Sequence, residues 1–366
     1  MIGGISMWSV WQPDLNVFHN AYFIARPGAN LIVDPLPLSD SDFEEISRRG
    51  GVAWIALTNR HRERDARACA DRFGAKIAAG ASDTAPSSLA VDRIVSDGDE
   101  LCGARVIALR GLKAPDAYVL HFRDARTVLV GDAIRGDPAG SLQMISDEHL
   151  IDARAAVLSV RRLRARRPLH LLVGTGTPIF NYAFDSLTEC LEARTDTYAE
   201  RVNVEELEFA YGSDTNDFDV QRDSEPYVGG WAEIGWLLGA TKLGYAAARL
   251  EPGQALCPLH WHTSEEELCV ALDGTATVRT TRGEIPLRRG DLVAFPTRSS
   301  GAHKIVNEGT EPCTILLVAN VDSGDVTFYP DSRKLYVEAT GTMVRDNPQL
   351  DYFDGETGNE AAPSRP

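Results

Sequence analysis

A two-domain chain, an α/β half followed by an all-β half, is predicted by three observations. Strand-like and helix-like segments alternate from Asn20 to about Arg201, the order expected of strands layered with helices. From Gly244 onward short strand-like runs recur with turn residues between them and no helical period, which indicates a sandwich or jelly roll. Between the halves lies an acidic, turn-rich stretch that includes Val204–Phe209 and ends near Pro226. A length of 366 residues also exceeds what one core usually organises. The implied boundaries are 1–201, a linker or lead-in arm at 202–226, a second domain at 227–354, and a tail at 355–366 expected to be disordered.

In the first half, Ala21–Ala25 and Leu31–Asp34 read as strands joined by a Pro-Gly turn. Ser39 or Ser41 caps a helix that runs to Gly50 and Gly51, a stop signal. Val52–Leu57 is a buried-type strand, followed by a helix over Arg62–Phe73. Val106–Leu109, Tyr118–Phe122 and Thr127–Asp132 are further strands, and Asp152 opens a helix ending in the basic run Arg161–Arg167. Cations at a helix C-terminus complement its dipole, so that run is expected to be a solvated helix end. Leu169–Gly174 is a strand and Phe180–Arg201 a last helix. In the second half, the strands are Gly244–Leu250, Glu267–Leu272, Thr275–Thr281, Leu292–Phe295, His303–Asn307 and Thr314–Asn320.

A net charge of −16 argues against nucleic acid or an anionic membrane as partner, since both require a cationic surface. No apolar run suggests a membrane span, and Met1–Met7 lacks the basic-then-apolar pattern of a secretory signal, so a cytoplasmic protein is expected. Cys69, Cys102, Cys190, Cys257, Cys269 and Cys313 form no Cys-x-x-Cys pair and are expected as reduced thiols.

Chemistry concentrates between Pro258 and Asn307. His260 and His262, two apart on a strand, point the same way. Glu267 follows five residues later and His303 lies on a later hairpin. Three imidazoles and one carboxylate suit a divalent transition metal with positions left for solvent or substrate. These spacings resemble the two motifs of the cupin superfamily. The first is His260-x-His262, four residues, Glu267, six residues and Gly274; the second is Gly290, five residues, Pro296, then His303 and Asn307. Two departures lengthen turns: six residues separate Gly253 from His260, and Arg298–Gly301 replaces a tighter corner. Glu266 competes with Glu267 as ligand, but the step to Gly274 favours Glu267, and Glu266 is then the nearest acid–base candidate. The resemblance implies a β jelly-roll barrel with one divalent metal ion, Fe, Mn, Ni or Zn, on His260, His262, Glu267 and His303. It allows a metal-dependent dioxygenase, isomerase or decarboxylase acting on a small organic acid or carbonyl compound. The competing class is a non-catalytic binding or sensing scaffold for a small molecule.

The first half resembles the metallo-β-lactamase fold, an αββα sandwich, through Asn20–Ile24, Asp34-Pro, Thr58–His61, Gly111–Lys113, Gly131-Asp132 and Gly174–Gly176. Its metal-binding loop stands here as Thr58-Asn59-Arg60-His61-Arg62-Glu63-Arg64. Asn59, Arg64, Leu112 and Thr175 occupy histidine positions, while His61, the longer carboxylate Glu63 and the bridging Asp132 remain. Leu112 offers no donor and Arg64 adds fixed charge, so no two-metal site and no hydrolytic activity are expected. Arg64 or Lys113 is expected beside Asp132, its charge replacing the metal's. The rival reading is a metallo-hydrolase with one weak metal on His61, Glu63 and Asp132. Self-association as a homodimer is expected through the second half, with Ile234–Leu238 and Leu316–Asn320 as candidate surfaces.

Overall fold

The computed structural model describes residues 4–81, 89–194, 197–207, 209–211, 226–227, 229–346, 350–351 and 354. Most of the expected linker, 212–225, and the expected tail, 355–366, lie outside the described residues. The chain divides into two compact units: Met1–Asp219 with Trp236–Gly239, and Val220–Gly235 with Ala240–Pro366.

In the first unit, the elements are β1 (Ile5–Gln12), β2 (Val17–Ile24), β3 (Leu31–Val33), α1 (Asp40–Arg48), β4 (Trp54–Leu57), α2 (Ala66–Phe73), β5 (Lys76–Gly80) and β6 (Arg93–Val95). They continue with β7 (Glu100–Leu101), β8 (Ala104–Ala108), β9 (Tyr118–Phe122), β10 (Thr127–Gly131), β11 (Ile134–Arg135), β12 (Gln143–Met144), α3 (Ala153–Arg164), β13 (His170–Val173) and α4 (Ala183–Glu192). One sheet has the order β1-β2-β3-β4-β5-β6 and the other β13-β10-β9-β8-β7. Leu129 and Leu120 point between the sheets, to Tyr22, Leu31 and Leu172, while Val128, Val130 and Val119 face α3 and α4. That alternation follows from period-two side-chain geometry in strands covered on both faces. On the outer face of the first sheet, Ile46 of α1 and Cys69 of α2 meet Phe23, Ile55 and Ile77. The result is an αββα sandwich.

Two local expectations change. Helix α4 stops at Glu192 rather than reaching Arg201. The basic run at the C-terminal end of α3 is not a solvated face: Arg161 and Arg166 are 3% and 5% exposed. Arg161 donates to the carbonyls of Arg194 at 3.1 Å and Trp236 at 3.2 Å, and its guanidinium lies 4.7 Å from the centre of the Trp236 ring. Carbonyl acceptors and an aromatic face let the guanidinium be buried while staying charged.

Asp34, just after β3, is buried and accepts from the Thr58 amide at 2.8 Å and hydroxyl at 2.6 Å. Burial raises its carboxyl to about 6, against the lowering effect of those Thr58 bonds. A carboxyl raised above its unfolded value binds more protons when folded, so its contribution to stability falls as pH rises from about 4 to about 6. Urea unfolding of the Asp34→Asn variant should show a more positive slope of stability against pH across that window than the native chain; identical slopes would contradict the assignment.

In the second unit, the strands Gly230–Glu233, Leu243–Leu250, Cys313–Asn320, Glu267–Asp273 and Leu292–Phe295 lie side by side, each antiparallel to the next. A second sheet is formed by Gly283–Arg288, Thr275–Thr280 and His303–Val306, and a third by Trp261–His262, Val326–Tyr329, Lys334–Val337 and Thr342–Arg345. Ala248, Cys269, Ala271, Ile315 and Leu317 of the first sheet pack on Ala276, Val278 and Ile305 of the second. This is the expected jelly-roll barrel. Of the two segments expected to mediate self-association, the strand containing Leu316–Asn320 is paired on both edges, and Trp236–Gly239 belongs to the first unit. Both are used within the chain. All six cysteines are free thiols.

Candidate metal centre

Local strand geometry brings four side chains from distant parts of the second unit to one point. His260 forms an isolated antiparallel bridge with His303, their backbone amides and carbonyls exchanging bonds of 3.1 and 2.9 Å. Two residues on, His262 presents the same face, while Trp261 between them turns away to stack on Phe328 at 4.2 Å. Glu267 opens a strand whose next inward residue, Cys269, is fully buried in the barrel core. The loop before His303 depends on Gly301, where a Cβ would lie 1.7 Å from the Pro296 carbonyl oxygen. Asn307 is buried, donates to the Leu250 and Glu311 carbonyls and accepts from the Gly309 amide. The residues of the second motif therefore hold the turns that deliver His303.

The donor atoms converge. Glu267 Oε2 lies 3.2 Å from His303 Nε2, 3.5 Å from His262 Nε2 and 3.7 Å from His260 Nε2. On the far side of each ring, Nδ1 faces an acceptor: the Pro258 carbonyl for His260 at 3.0 Å, the Gly301 carbonyl for His303 at 3.0 Å, and Asp325 Oδ2 for His262 at 2.7 Å. An acceptor at Nδ1 places the proton there and leaves the Nε2 lone pair directed inward. Burial, then the neighbouring imidazoles, pushes His260 down to about 3, and burial pushes His303 down to about 4. Both rings are neutral near pH 7, the form that ligates a metal. Burial raises the Glu267 carboxyl, with His262 opposing the rise. His262 Nε2 and Glu267 Oε2 are buried without a hydrogen-bond partner. Orphaned inward lone pairs around one point are costly for a protein that leaves them so, and a cation satisfies all of them. The residues present thus fit a divalent metal ion.

Glu266, the acid–base candidate, is exposed, with its amide on Asn320 Oδ1, and is not brought to this point. Glu265 lies behind the site, its carboxylate 3.7 Å from His262 Nδ1 on the far side of that ring. Asp325 had no signal in the sequence; it arrives because the strand after it pairs with Trp261–His262. It also accepts from the Thr263 hydroxyl and Ser264 amide at 2.9 Å. Although burial acts to raise Asp325, the bonds from His262, Ser264 and Thr263 prevail and hold it at about 2. Cys257, also unassigned by spacing, has its sulfur 3.4 Å from His260 Nδ1, and burial pushes its thiol well up. Cys269 is a buried apolar filler with a thiol raised to about 12 by burial.

In the first unit, the loop after β4 closes over the position of the bridging carboxylate, but neither Arg64 nor Lys113 pairs with Asp132. Arg62 does. Its Nε donates to Asp132 Oδ2 at 2.6 Å, and Nη2 both pairs with Oδ1 and donates to Thr175 Oγ1 at 3.1 Å. Asn59 Nδ2 donates to Asp132 Oδ2 at 3.1 Å. The guanidinium thus joins the carboxylate to Thr175, while Asn59 binds the carboxylate directly, and a fixed charge stands where metal charge would. Leu112 is buried in the core beside α3, and His61 is exposed with its amide on Asn59 Oδ1. Arg64, Lys113 and His61 line the cavity above the pair, whereas Glu63 does not. Among the described residues, no three His, Cys, Asp or Glu donors of this unit come together. The one-metal set of His61, Glu63 and Asp132 is not assembled.

Residues 3–194 match the metallo-beta-lactamase superfamily and residues 247–319 match the cupin domain. Among solved structures, the chain is similar to a sugar phosphate isomerase from a cupin superfamily from Silicibacter pomeroyi, at 24% identity over 42% of this chain and 97% of that one, with a TM-score of 0.36. It is similar to a metallo-beta-lactamase from Pontibacter korlensis at 12% identity, over 52% of this chain and 96% of that one, with a TM-score of 0.43. A Lactobacillus farciminis oxalate decarboxylase is similar at 22% identity over 32% of each chain, with a TM-score of 0.24. No curated protein matches. No helix among the described residues is long and apolar enough to cross a membrane.

Proposed function

We propose that this chain, which belongs to the metallo-beta-lactamase superfamily and carries a cupin domain after it, is a metal-dependent cupin enzyme whose chemistry takes place in the barrel and not in its superfamily domain. The observation that carries this reading is the meeting of three imidazole Nε2 atoms on one Glu267 oxygen while every Nδ1 is held from behind. His260, His262, Glu267 and His303 would hold one divalent ion. Bound there, it would supply Lewis acidity to a chelating oxygen of a small organic acid or carbonyl compound, or dioxygen chemistry if it is iron.

The remaining work belongs to the chain's own side chains. Phe295 stacks on His303 at 3.6 Å and Tyr329 lies 6.0 Å from His260, so aromatic walls fix two ligand rings and exclude water from their faces. Burial, followed by nearby charged groups, raises the Tyr329 phenol, which stays protonated. Asp325 accepts from His262 Nδ1 and fixes the orientation of its ring. Removing such a support typically weakens metal binding about 10–100-fold. Asp325→Asn should therefore lower the chain's affinity for Zn²⁺ or Mn²⁺ by about that factor in a competition titration; an unchanged affinity would show that His262 is placed without it.

The function itself is tested on protein stripped with EDTA and reloaded separately with Fe²⁺, Mn²⁺, Ni²⁺ or Zn²⁺. Each form is assayed for turnover and oxygen uptake with a panel of small hydroxy acids, keto acids, diols and phenols. Turnover that requires the metal and disappears in Glu267→Gln supports an enzyme. Binding of panel members without turnover in any metal form would reassign the barrel as a binding scaffold.

A further inference from the structure

The cavity over the Arg62–Asp132 pair carries more positive charge than that pair uses. It has a volume of about 330 Å³ and lies wholly within residues of the first unit. Leu109, Leu112, Val130 and Ile145 give it an apolar wall, and Arg64, Lys113 and Arg135 bring three further cations. Among the described residues that line it, Asp132 is the sole carboxylate and is already held by Arg62 and Asn59, while Asp34 and Asp65 act on Arg64 from outside the lining. Two polar atoms of lining residues are buried with no hydrogen-bond partner: Arg64 Nη1 and the Tyr118 hydroxyl, the latter on a side chain only 2% exposed.

Both are donors. An Arg guanidinium has only N–H groups to offer, and Tyr118 stays protonated because burial, then Asp34 and Asp116, raises its phenol. Arg64 adopts φ +27°, a conformation uncommon for a residue with a side chain, so the loop presents it at a strained position. Burial, then Arg64 and Arg135, lowers His19, so its ring adds no charge to the cavity near pH 7. Lys113 and Arg135 are exposed, so they act at the rim as steering charges more than as buried contacts.

We propose that this cavity binds a small organic carboxylate with an apolar body, its carboxylate taken by Arg64 with the Tyr118 hydroxyl as a second donor, and its body packed on Leu109, Leu112 and Ile145. One half-buried guanidinium over an apolar wall matches a single charge on a hydrophobic ligand. The site asks for no metal, because Arg62 already holds Asp132 and Arg64 Nη1 is left as a donor for the ligand. The inference does not depend on the proposed function of the barrel.

The test uses the full chain treated with EDTA, so that a barrel-bound metal cannot take the carboxylate, and isothermal titration with octanoate and with phenylacetate. Octanamide serves as the uncharged counterpart of octanoate. Saturable one-to-one binding of at least one acid is expected, with octanamide at least about 10-fold weaker, as for loss of one charged hydrogen bond. Arg64→Gln should weaken the acid about 10–100-fold and leave octanamide unchanged. Leu112→Trp, which fills the wall, should weaken acid and amide together, and it decides the matter if Arg64→Gln does not fold. Absence of saturable binding by both acids overturns the proposal. So do equal affinities for octanoate and octanamide, or acid binding that survives both substitutions and is lost in the His260→Ala, His262→Ala double variant.

Discussion

Purified chain in which His260 and His262 are both replaced by Ala should contain essentially no divalent metal, whereas the unaltered chain should carry about one ion, as expected from a single complete donor set. Ligand number dominates affinity for such ions, and the double variant keeps only Glu267 and His303 of the four donors. Replacing His61 by Ala or Asp132 by Asn should leave the content unchanged, because the first unit assembles no donor triplet among the described residues. Elemental analysis after dialysis reads all three proteins. Two or more equivalents that persist in the double variant would place metal in the first unit and overturn the assignment of the barrel. The same proteins should show no metal-dependent hydrolysis of β-lactams, thioesters or lactones, since Arg62 occupies Asp132.

The second large effect is expected at Arg62. Its side chain is 3% exposed and is bonded to Asp132, Thr175 and the Gly174 carbonyl. Removing one partner of a buried ion pair costs about 3–5 kcal/mol, and here the cost is discounted below that range because Asp132 retains 37% exposure and the Asn59 amide. Arg62→Met should destabilise the first unit by roughly 2–3 kcal/mol in denaturant unfolding. Adding Asp132→Asn should restore part of the loss, because the uncompensated carboxylate is then gone. A loss below about 0.5 kcal/mol, the scale of an ordinary surface substitution, would mean that the guanidinium does not stand in for metal charge.

The sequence by itself determined the two folds and which four side chains to look for as candidate donors in the barrel. Period-two alternation sorts Leu129 from Val128 and Val130 onto opposite faces without knowledge of the neighbours. His260 and His262 share a face for the same reason, and the fixed steps to Glu267 and Gly274 are local strand and turn geometry. What depended on long-range approach was hidden. Asp325 reaches His262 only through the pairing of Trp261–His262 with Val326–Tyr329, and no spacing encodes that register. Choosing among Arg60, Arg62, Arg64 and Lys113 as the partner of Asp132 likewise required the loop's path: Arg60 turns to Asp116, Arg62 to Asp132, and Arg64 lines the cavity. The arginines at the end of α3 read as solvated because composition cannot foresee that Arg161 meets the Trp236 ring and the carbonyls of Arg194 and Trp236. Strand and turn preferences are set within a few residues, whereas the partner of a charge is set by whichever distant group the tertiary structure brings within hydrogen-bonding distance.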